Sequence, residues 1–269
     1  MASFNIEDTI IYEDAEILVC HKPAGVLSQA DRSFAVDMVS ALLARERKKG
    51  NNKPFVAPVN RLDRPVEGLI LFAKNNKAAA NLTRQIVNSE VDKCYYAVVD
   101  IEEESVLKSL FDCRDNAKKN LVTLIDYLYK DPKTNTSRVV NIENEENNNK
   151  DGSQNKEKQS MSDAGQEIKE AKKAVLDYLV ISINGKKALL DVKLHTGRHH
   201  QIRVQLSNAG MPLAGDTKYN RKYADVKGWV NIALCSYRME FKHPVNGKKM
   251  QFKTTPKGDE FKEFLSDHW

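Results

Sequence analysis

A nearly continuous apolar run, GLILFA at residues 68–73, is the feature that most restricts the fold. Its apolar residues fill both alternating faces, a pattern typical of a strand buried on both sides within a sheet. The chain has 269 residues, of which 41% are hydrophobic. That is enough for a sizeable core, in one large domain or two small ones.

Strands dominate the rest of the pattern. They are predicted at residues 16–21 and 91–100, and in three later runs, AVLDYLVISING, KKALLDVKLHTG and VNIALCSYRMEFKHP. Alternation in the second of these strands puts Tyr95 on one face and Tyr96 on the other. The Asn246–Gly247 pair predicts a hairpin turn.

Helices are fewer and do not alternate regularly with the strands. One is predicted to be capped by Ser33 and to end near Gly50, and another spans about residues 76–89. A third begins near His199 and is closed by Gly210, and a short one ends the chain. We therefore predict an α+β fold around a large mixed or antiparallel central sheet.

Residues 141–173 differ from the rest, since they are rich in Asn, Glu, Lys and Ser and nearly free of apolar side chains. Such a segment cannot bury enough surface to offset its ordering entropy. We expect a low-complexity, mobile insertion in a single domain spanning residues 1–269.

Net charge, cysteine spacing and the lack of targeting signals indicate which partners and which cellular compartment to expect. The net charge of +5 suits a polyanionic partner, although many proteins carry as much. The four cysteines are far apart in sequence, which predicts neither a metal site nor a redox pair. No apolar run reaches the roughly 18 residues of a membrane span, and the acidic N-terminus is unlike a signal peptide. We expect a cytoplasmic protein without a membrane partner.

A charged stretch, NRLDRPVE at residues 60–67, immediately precedes and enters the apolar run. It places Asp63 between Arg61 and Arg64 at the mouth of the predicted strand. Alternating charges on a loop are usually solvated ion pairs worth under about 1 kcal/mol. The alternative is a functional acid whose basic neighbours have a role of their own.

A second dense stretch, LHTGRHHQIRVQLSNAG at residues 194–210, combines a turn with the third helix. Ile202 and Leu206 are four residues apart and face the core. Arg203 projects about 100° round the helix from Ile202, which predicts that it leaves the core face and enters a cleft. Arg198 lies near the helix N-terminus, where backbone N–H groups favour anions. A solvated basic face is the alternative.

Together the two stretches resemble one family, the RluA-type RNA pseudouridine synthases. The acid motif His-Arg-Leu-Asp-Arg stands here as NRLDR, and the helix motif Thr-Gly-Arg-x-His-Gln-Ile-Arg as TGRHHQIR. Four further segments resemble the family in the same order along the chain: HKPAGVLSQ, DKCYYAVV, GMPLAGDTKY and FKHPVNGKKMQF. Asn60 replaces the usual histidine, PVEG replaces a Thr-Ser-Gly type of ending, and VQL replaces Val-His-Leu, departures that bear on substrate fit.

The resemblance implies a pseudouridine-synthase-like fold with an active-site cleft across the sheet. It also implies an enzyme that isomerises specific uridines in structured RNA, ribosomal or transfer, without a cofactor or a metal and without an obligate protein partner. The small N-terminal RNA-binding domain of many relatives is expected to be absent, because only about 15 residues precede the first core strand.

The resemblance also assigns roles to individual residues. Asp63 becomes the catalytic carboxylate, Arg203 the guanidinium that keeps it ionised and oriented, and Tyr95 the ring that packs on the flipped base and takes part in proton transfer. Arg61 is expected to fill the gap left by that base or to hold the backbone. Lys22 and Arg198 are candidate phosphate contacts, and Arg64 is either a phosphate contact or part of a structural ion pair.

Two other functions compete with this one. An RNA-binding protein on the same fold would need positive charge but no acid in the groove. A glycoside hydrolase would need a second carboxylate about 5 Å from Asp63. Glu67 is the only nearby candidate for that carboxylate in sequence.

Overall fold

The apolar run forms, as predicted, a fully buried strand inside one large sheet. A computed structural model of the chain describes residues 4–31, 35–115, 121–141, 167 and 169–265. The strands within these residues are Ile10–Glu13 (β1), Ile17–Lys22 (β2), Ala57–Pro58 (β3), Glu67–Ala73 (β4), Asp92–Asp100 (β5), Leu121–Asp131 (β6), Thr136–Val139 (β7), Lys172–Asn184 (β8), Lys187–Leu194 (β9), Leu234–Lys242 (β10) and Lys249–Lys253 (β11).

The sheet is mixed, which agrees with the predicted α+β class. Its strands lie in the order β1-β2-β4-β10-β5-β9-β8-β6-β7, with β11 paired to β10 and β3 to β4. Among the described strand pairs, only β4 with β10 is parallel. The α-helices of the described residues are Met38–Lys48 (α1), Asn76–Val87 (α2), Glu104–Asp115 (α3), Gln201–Asn208 (α4) and Lys262–Leu265 (α5).

The core lies on both faces of the sheet because the residues of β5 alternate between them. Tyr95, Ala97 and Val99 join the apolar cluster that includes residues of α4. Cys94 and Val98 join the opposite cluster, which includes residues from the end of the chain. The predicted separation of Tyr95 from Tyr96 is thus confirmed, since Tyr96 stacks on Tyr237 on that opposite face.

Several boundaries differ from those that the sequence predicts. Helix α1 begins at Met38 and is capped by the Asp37 side chain, which accepts from the Ser40 N–H at 2.9 Å, whereas the predicted cap, Ser33, lies outside the described residues. Helix α4 begins at Gln201, two residues later than predicted. Most of the predicted insertion, residues 142–166 and 168, lies outside the described residues, and Lys172 already belongs to β8.

None of the helices in the described part of the chain is long and apolar enough to cross a membrane.

The parallel junction between β4 and β10 depends on the absence of a side chain at Gly68. Its φ is +115°, and a Cβ there would lie 2.4 Å from the Ser236 carbonyl oxygen and 2.5 Å from the Ser236 nitrogen. Both obstacles are backbone atoms of β10, so they cannot swing aside as a flexible side chain would. Gly68 therefore allows the two halves of the sheet to meet.

We expect Gly68→Ala to lower the free energy of unfolding by about 2–4 kcal/mol, because left-handed strain and backbone overlap add together. Urea denaturation measures the change. Gly185→Ala is the matched control, since its φ is +57° but nothing lies within 4 Å of the new Cβ. That control isolates the conformational strain, about 1 kcal/mol. Equal losses in the two variants would contradict the role given to close approach.

Candidate active site

One large cleft brings together the two charged stretches of the sequence. It has a volume of about 1290 Å³, above the roughly 300–1,000 Å³ typical of small-molecule pockets. Six of the predicted site residues line it: Arg61, Asp63, Arg64, Tyr95, Arg198 and Arg203. The cleft is thus large enough for a polymeric ligand, with the predicted acid in its wall.

Asp63 lies on the loop between β3 and β4, and polar side chains hold that loop in place. The Ser28 hydroxyl donates to the Leu62 carbonyl at 2.7 Å and accepts from the Leu62 N–H at 3.0 Å. The Asn60 amide accepts from the Leu71 N–H at 2.8 Å and donates to the Leu69 carbonyl at 3.3 Å, which ties the loop to β4. The asparagine at the head of the acid motif therefore has a structural role here.

Arg203 joins Asp63 to a second carboxylate. Its Nη1 donates to Asp63 Oδ2 at 3.0 Å, across 140 residues of sequence. Its Nε and Nη2 each donate to one oxygen of Asp216 at 2.8 Å. This two-point contact fixes the plane of the guanidinium, so the direction in which Arg203 meets Asp63 is fixed as well.

Arg203 lines the cleft as the sequence predicted, but it is buried there and does not project freely into it. Its side chain is 4% exposed, and that of Asp216 is 0% exposed. Burial by itself would lower the pKa of Arg203, but the hydrogen bonds and charge of Asp216, together with Asp63, outweigh it and raise that pKa. Arg203 is therefore a buried cation that reaches the cleft with one edge only, while Ile202 and Leu206 face the core as predicted.

Asp63 keeps one oxygen available to the cleft. Its side chain is 34% exposed, and Oδ2 is the atom that contacts Arg203. Within the described residues, Oδ1 has no hydrogen-bond partner. A carboxylate with one oxygen anchored and the other free can act as a nucleophile or proton acceptor in a defined direction.

His200 approaches the anchored oxygen from another side. It sits at the start of α4 with φ at +54°, and its Nε2 lies 3.4 Å from Asp63 Oδ2. Tyr219 lies 2.8 Å from His200 Nδ1 and accepts the Ser137 N–H at 2.7 Å. The Tyr219 hydroxyl already accepts one hydrogen bond and can donate its own proton to Nδ1, and in that tautomer the imidazole proton is on Nε2, the ring atom nearest Asp63.

Burial, followed by the charge of Arg203, lowers the pKa of His200 to about 2. The imidazole is thus neutral at physiological pH and adds a dipole beside Asp63 without adding a charge. Its left-handed backbone costs on the order of 1–3 kcal/mol and persists because its surroundings hold it. Such strain next to a partly exposed carboxylate is characteristic of active sites.

The turn before α4 is closed by Gln201. Its Oε1 accepts from the Thr196 hydroxyl at 2.8 Å and from the Arg198 N–H at 2.9 Å, and its Nε2 donates to the Val175 carbonyl. Arg198 is exposed, and its Nε donates to the Lys173 carbonyl at 2.9 Å. Gln201 is thus a supporting residue, and Arg198 lies at the surface of the cleft.

Tyr95 forms part of the cleft wall and is only 6% exposed. Burial is the main reason that its pKa is raised, so its hydroxyl remains protonated. It can offer a ring surface and a neutral hydroxyl to a ligand, but not a phenolate.

Lys22 is not at the surface, which corrects its prediction as a phosphate contact. It is 0% exposed, and its Nζ donates to the carbonyls of Pro23, Val26 and Arg64 at 2.9, 2.7 and 3.2 Å. Burial lowers its pKa to about 7. Two of these carbonyls belong to the loop after β2 and one to the loop that carries Asp63, so the buried ammonium joins the two loops and is not accessible to a phosphate.

The two arginines that flank Asp63 differ. Arg61 is exposed and has no hydrogen-bond or ion-pair partner within the described residues. Arg64 donates from Nε to the Gly25 carbonyl at 3.0 Å, and its guanidinium lies 4.9 Å from the ring centre of Trp229. Arg61 is therefore available to a ligand. Arg64 supports the loop and has no ion pair within the described residues, so of its two predicted roles only the phosphate contact stays a prediction.

Positive charge predominates in the cleft lining. Seven lysines and arginines line it against three carboxylates, namely Arg61, Arg64, Lys93, Lys130, Lys193, Arg198 and Arg203 against Asp31, Asp63 and Asp92. A concave surface with this imbalance attracts a polyanion.

Sequence reasoning missed two functional contributors, Asp216 and Tyr219. Both lie in GDTKY, a segment for which the sequence indicated no role beyond its resemblance to the family. The available signal was the acid in that segment, but the pattern did not indicate that Arg203 would be buried and need a counter-ion. The contact of His200 with Asp63 depends on the left-handed backbone at position 200.

Comparison with known proteins gives consistent results over most of the chain. Residues 16–208 match the family described as RNA pseudouridylate synthase. The chain is 30% identical over 262 residues to an uncharacterized RNA pseudouridine synthase of Aquifex aeolicus, covering 92% of this chain and 69% of the relative. It is 28% identical to ribosomal large subunit pseudouridine synthase D of Borreliella burgdorferi (98% and 70% covered) and 27% identical to tRNA pseudouridine synthase C of Haemophilus ducreyi (91% and 89% covered).

Solved structures share the fold. Human RNA Pseudouridylate Synthase Domain Containing 4 superposes with a TM-score of 0.66 at 17% identity, over 94% of this chain and 90% of that one. Human RNA Pseudouridylate Synthase Domain Containing 1 gives 0.65 at 18% identity, over 95% and 86%. The predicted fold class is confirmed.

We expect Asp216→Asn to lower the free energy of unfolding by about 3–5 kcal/mol, because it leaves a buried guanidinium with only Asp63 as a counter-ion. Urea denaturation at neutral pH measures this loss. Asp259→Asn is the control, since its ion pair with Lys262 is exposed and should contribute little to stability. A loss at Asp216 no larger than that of the control would be incompatible with the anchoring role.

His200 should make the protein sensitive to acid. Its folded-state pKa is about 2 against an ordinary value near 6.5, so only the unfolded chain takes up this proton as the pH falls below about 6.5. This single group should remove about 1.4 kcal/mol of unfolding free energy between pH 7.5 and 5.5. We expect His200→Asn, which tolerates the left-handed backbone, to show a pH dependence weaker by that amount in urea titrations. Identical pH dependence in both proteins would refute the neutral, buried imidazole.

Proposed function

Because the chain belongs to the RluA-type RNA pseudouridylate synthases, we propose that Asp63 is the carboxylate with which it converts uridine to pseudouridine in RNA. The observation that carries this proposal is the state of Asp63. One of its oxygens is anchored to Arg203, and the other is free at the wall of a cationic cleft.

The reaction is an isomerisation and requires no co-reactant. The bond between N1 of the base and C1′ of the sugar breaks, the base turns, and a bond forms between C5 and C1′. The proton lost from C5 is balanced by the one gained at N1. Attack on the sugar, attack on the base and abstraction of a sugar proton each require a carboxylate oxygen beside the nucleoside, and Oδ1 of Asp63 offers one.

Arg203 is proposed to position and electrostatically balance that carboxylate. Its buried pair with Asp216 holds the guanidinium before any ligand arrives, so no reorganisation is needed when the reaction begins. Tyr95 is proposed to lie against the displaced base. Its hydroxyl can take part in proton transfer as a relay, which donates its own proton while accepting another, so that no phenolate forms.

The substrate is proposed to be structured RNA, ribosomal or transfer, in keeping with the relatives named for each. A stacked uridine cannot reach a carboxylate in the cleft wall, so the nucleotide must be flipped out. Arg61, which is exposed and unpaired in the described residues, is suited to occupy the gap or hold the backbone. Arg198 is suited to contact a phosphate at the cleft surface.

The two competing functions are less well supported. A protein that only binds RNA gains nothing from a buried Arg203–Asp216 pair aimed at a partly free acid. For a glycoside hydrolase, the predicted second carboxylate, Glu67, is unsuitable, because it is buried and accepts from the N–H groups of Lys257 and Gly258. Its oxygens are therefore engaged away from the cleft.

We expect Asp63→Asn to reduce pseudouridine formation by at least about 10³-fold, since the amide keeps the shape but loses the nucleophilic charge. Pseudouridine mapping of total RNA from cells with the normal gene and with the variant gene measures this, together with the purified proteins acting on the same RNA. Asp92→Asn, in the same cleft but paired with Lys193, should stay within about threefold of normal.

Sites that vanish with Asp63→Asn and return with the normal protein in vitro would identify both substrate and catalytic residue. An unchanged map, with a purified protein that binds RNA but modifies none, would favour the RNA-binding function instead.

A further inference from the structure

Lys93 is a cation in the cleft that neither the proposed chemistry nor the fold uses. It lies on β5, two residues before Tyr95, so both side chains project from the same face of the strand. Both line the cleft. A Cβ at Gly197 would lie 3.7 Å from Lys93 Nζ, which puts the ammonium against the turn that precedes Arg198.

The Lys93 ammonium has no counter-ion in the described part of the chain. Within the described residues, Lys93 makes no hydrogen bond and no ion pair, whereas Lys193 on the neighbouring strand pairs with Asp92 at 3.0 Å. Burial is the one cause that lowers the pKa of Lys93, and no nearby carboxylate offsets it. A partly buried cation without a partner is unfavourable in the free protein, so its presence requires a compensating interaction elsewhere.

The surroundings indicate what supplies that interaction. The cleft is rich in cations, which suits an anionic ligand. In RNA the negative charge is carried by the backbone phosphates, one for each nucleotide. Lys93 and Tyr95 have their Cα atoms about 7 Å apart along the strand. That is comparable with the separation of a base from a phosphate across the intervening sugar.

We propose that Lys93 binds a backbone phosphate of the RNA next to the nucleotide that enters the site. This rests on the proposed function, in which Tyr95 lies against the displaced base. Lys93 is then a substrate-binding residue, and the phosphate is the counter-ion that the free protein lacks. When RNA binds, the Lys93 ammonium pairs with this phosphate while the base enters the site. Binding of the RNA backbone and binding of the base therefore occur together.

The test measures binding apart from catalysis. Every variant is made in the Asp63→Asn protein, so turnover plays no part and a failure of the proposed chemistry leaves this result interpretable. The probe is a fluorescently labelled RNA stem-loop with an unpaired uridine, titrated at several KCl concentrations. Three substitutions are compared, Lys93→Met, Lys93→Arg and the matched control Lys193→Met.

We expect Lys93→Met to weaken binding by about 10- to 100-fold, the value of a hydrogen bond to a charged group. The slope of log affinity against log salt should fall by about 0.7–0.9, the loss of one phosphate contact. Lys93→Arg should stay within about threefold of the parent, because it keeps the charge. Lys193→Met should lose less than about threefold, because Asp92 already balances that ammonium.

The urea midpoint distinguishes a lysine that binds RNA from one that stabilises the fold. Because Lys93→Met removes an unpaired, partly buried charge, its urea midpoint should equal or exceed that of the parent even as RNA binding weakens. Binding within threefold of the parent would overturn the proposal. So would equal losses of affinity in Lys93→Met and Lys93→Arg accompanied by lower urea midpoints, since that pattern indicates a packing role.

Discussion

The buried two-point contact between Arg203 and Asp216 is the interaction on which the site depends. A guanidinium at 4% exposure is unfavourable unless its charge is balanced, and Asp216 balances it with two hydrogen bonds of 2.8 Å. Only because the guanidinium is held in this way does its remaining edge meet Asp63 in a single orientation. The acid on the loop is thus positioned by a pair that lies beneath it.

The sheet brings these partners together from distant parts of the chain. Strand β4 follows the Asp63 loop, and its parallel junction with β10 at Gly68 leaves only β10 between it and β5, the strand that carries Tyr95. Lys22 joins the same loop to the loop after β2, through the carbonyl of Arg64 on one and those of Pro23 and Val26 on the other. Positive charge is therefore used in two ways here. Buried cations shape the loop and the acid, while Arg61 and Lys93 remain without protein partners in the described part of the chain.

Several residues show how far sequence patterns reach. The strand at residues 68–73, helix α2 and the opposite faces of Tyr95 and Tyr96 follow from periodicity, which is a local property. The position of Lys22 does not, because a lysine beside Pro23 is ordinarily exposed, and only the fold of residues 22–26 around its ammonium buries it. The N-cap of α1 is Asp37, not the predicted Ser33. Both residue types are suitable N-caps, so the sequence pattern alone did not distinguish between them.

The sequence by itself determined the α+β class, the family and the presence of Asp63, Tyr95 and Arg203 at one site, because these rest on local periodicity and on ordered motifs. Only the tertiary structure decided which atoms meet. Asp216 became the partner of Arg203, His200 turned its neutral ring toward Asp63, and Lys93 has no counter-ion among the residues that the structure describes. These outcomes depend on distances between segments far apart in the chain, and neither spacing nor composition encodes such distances directly.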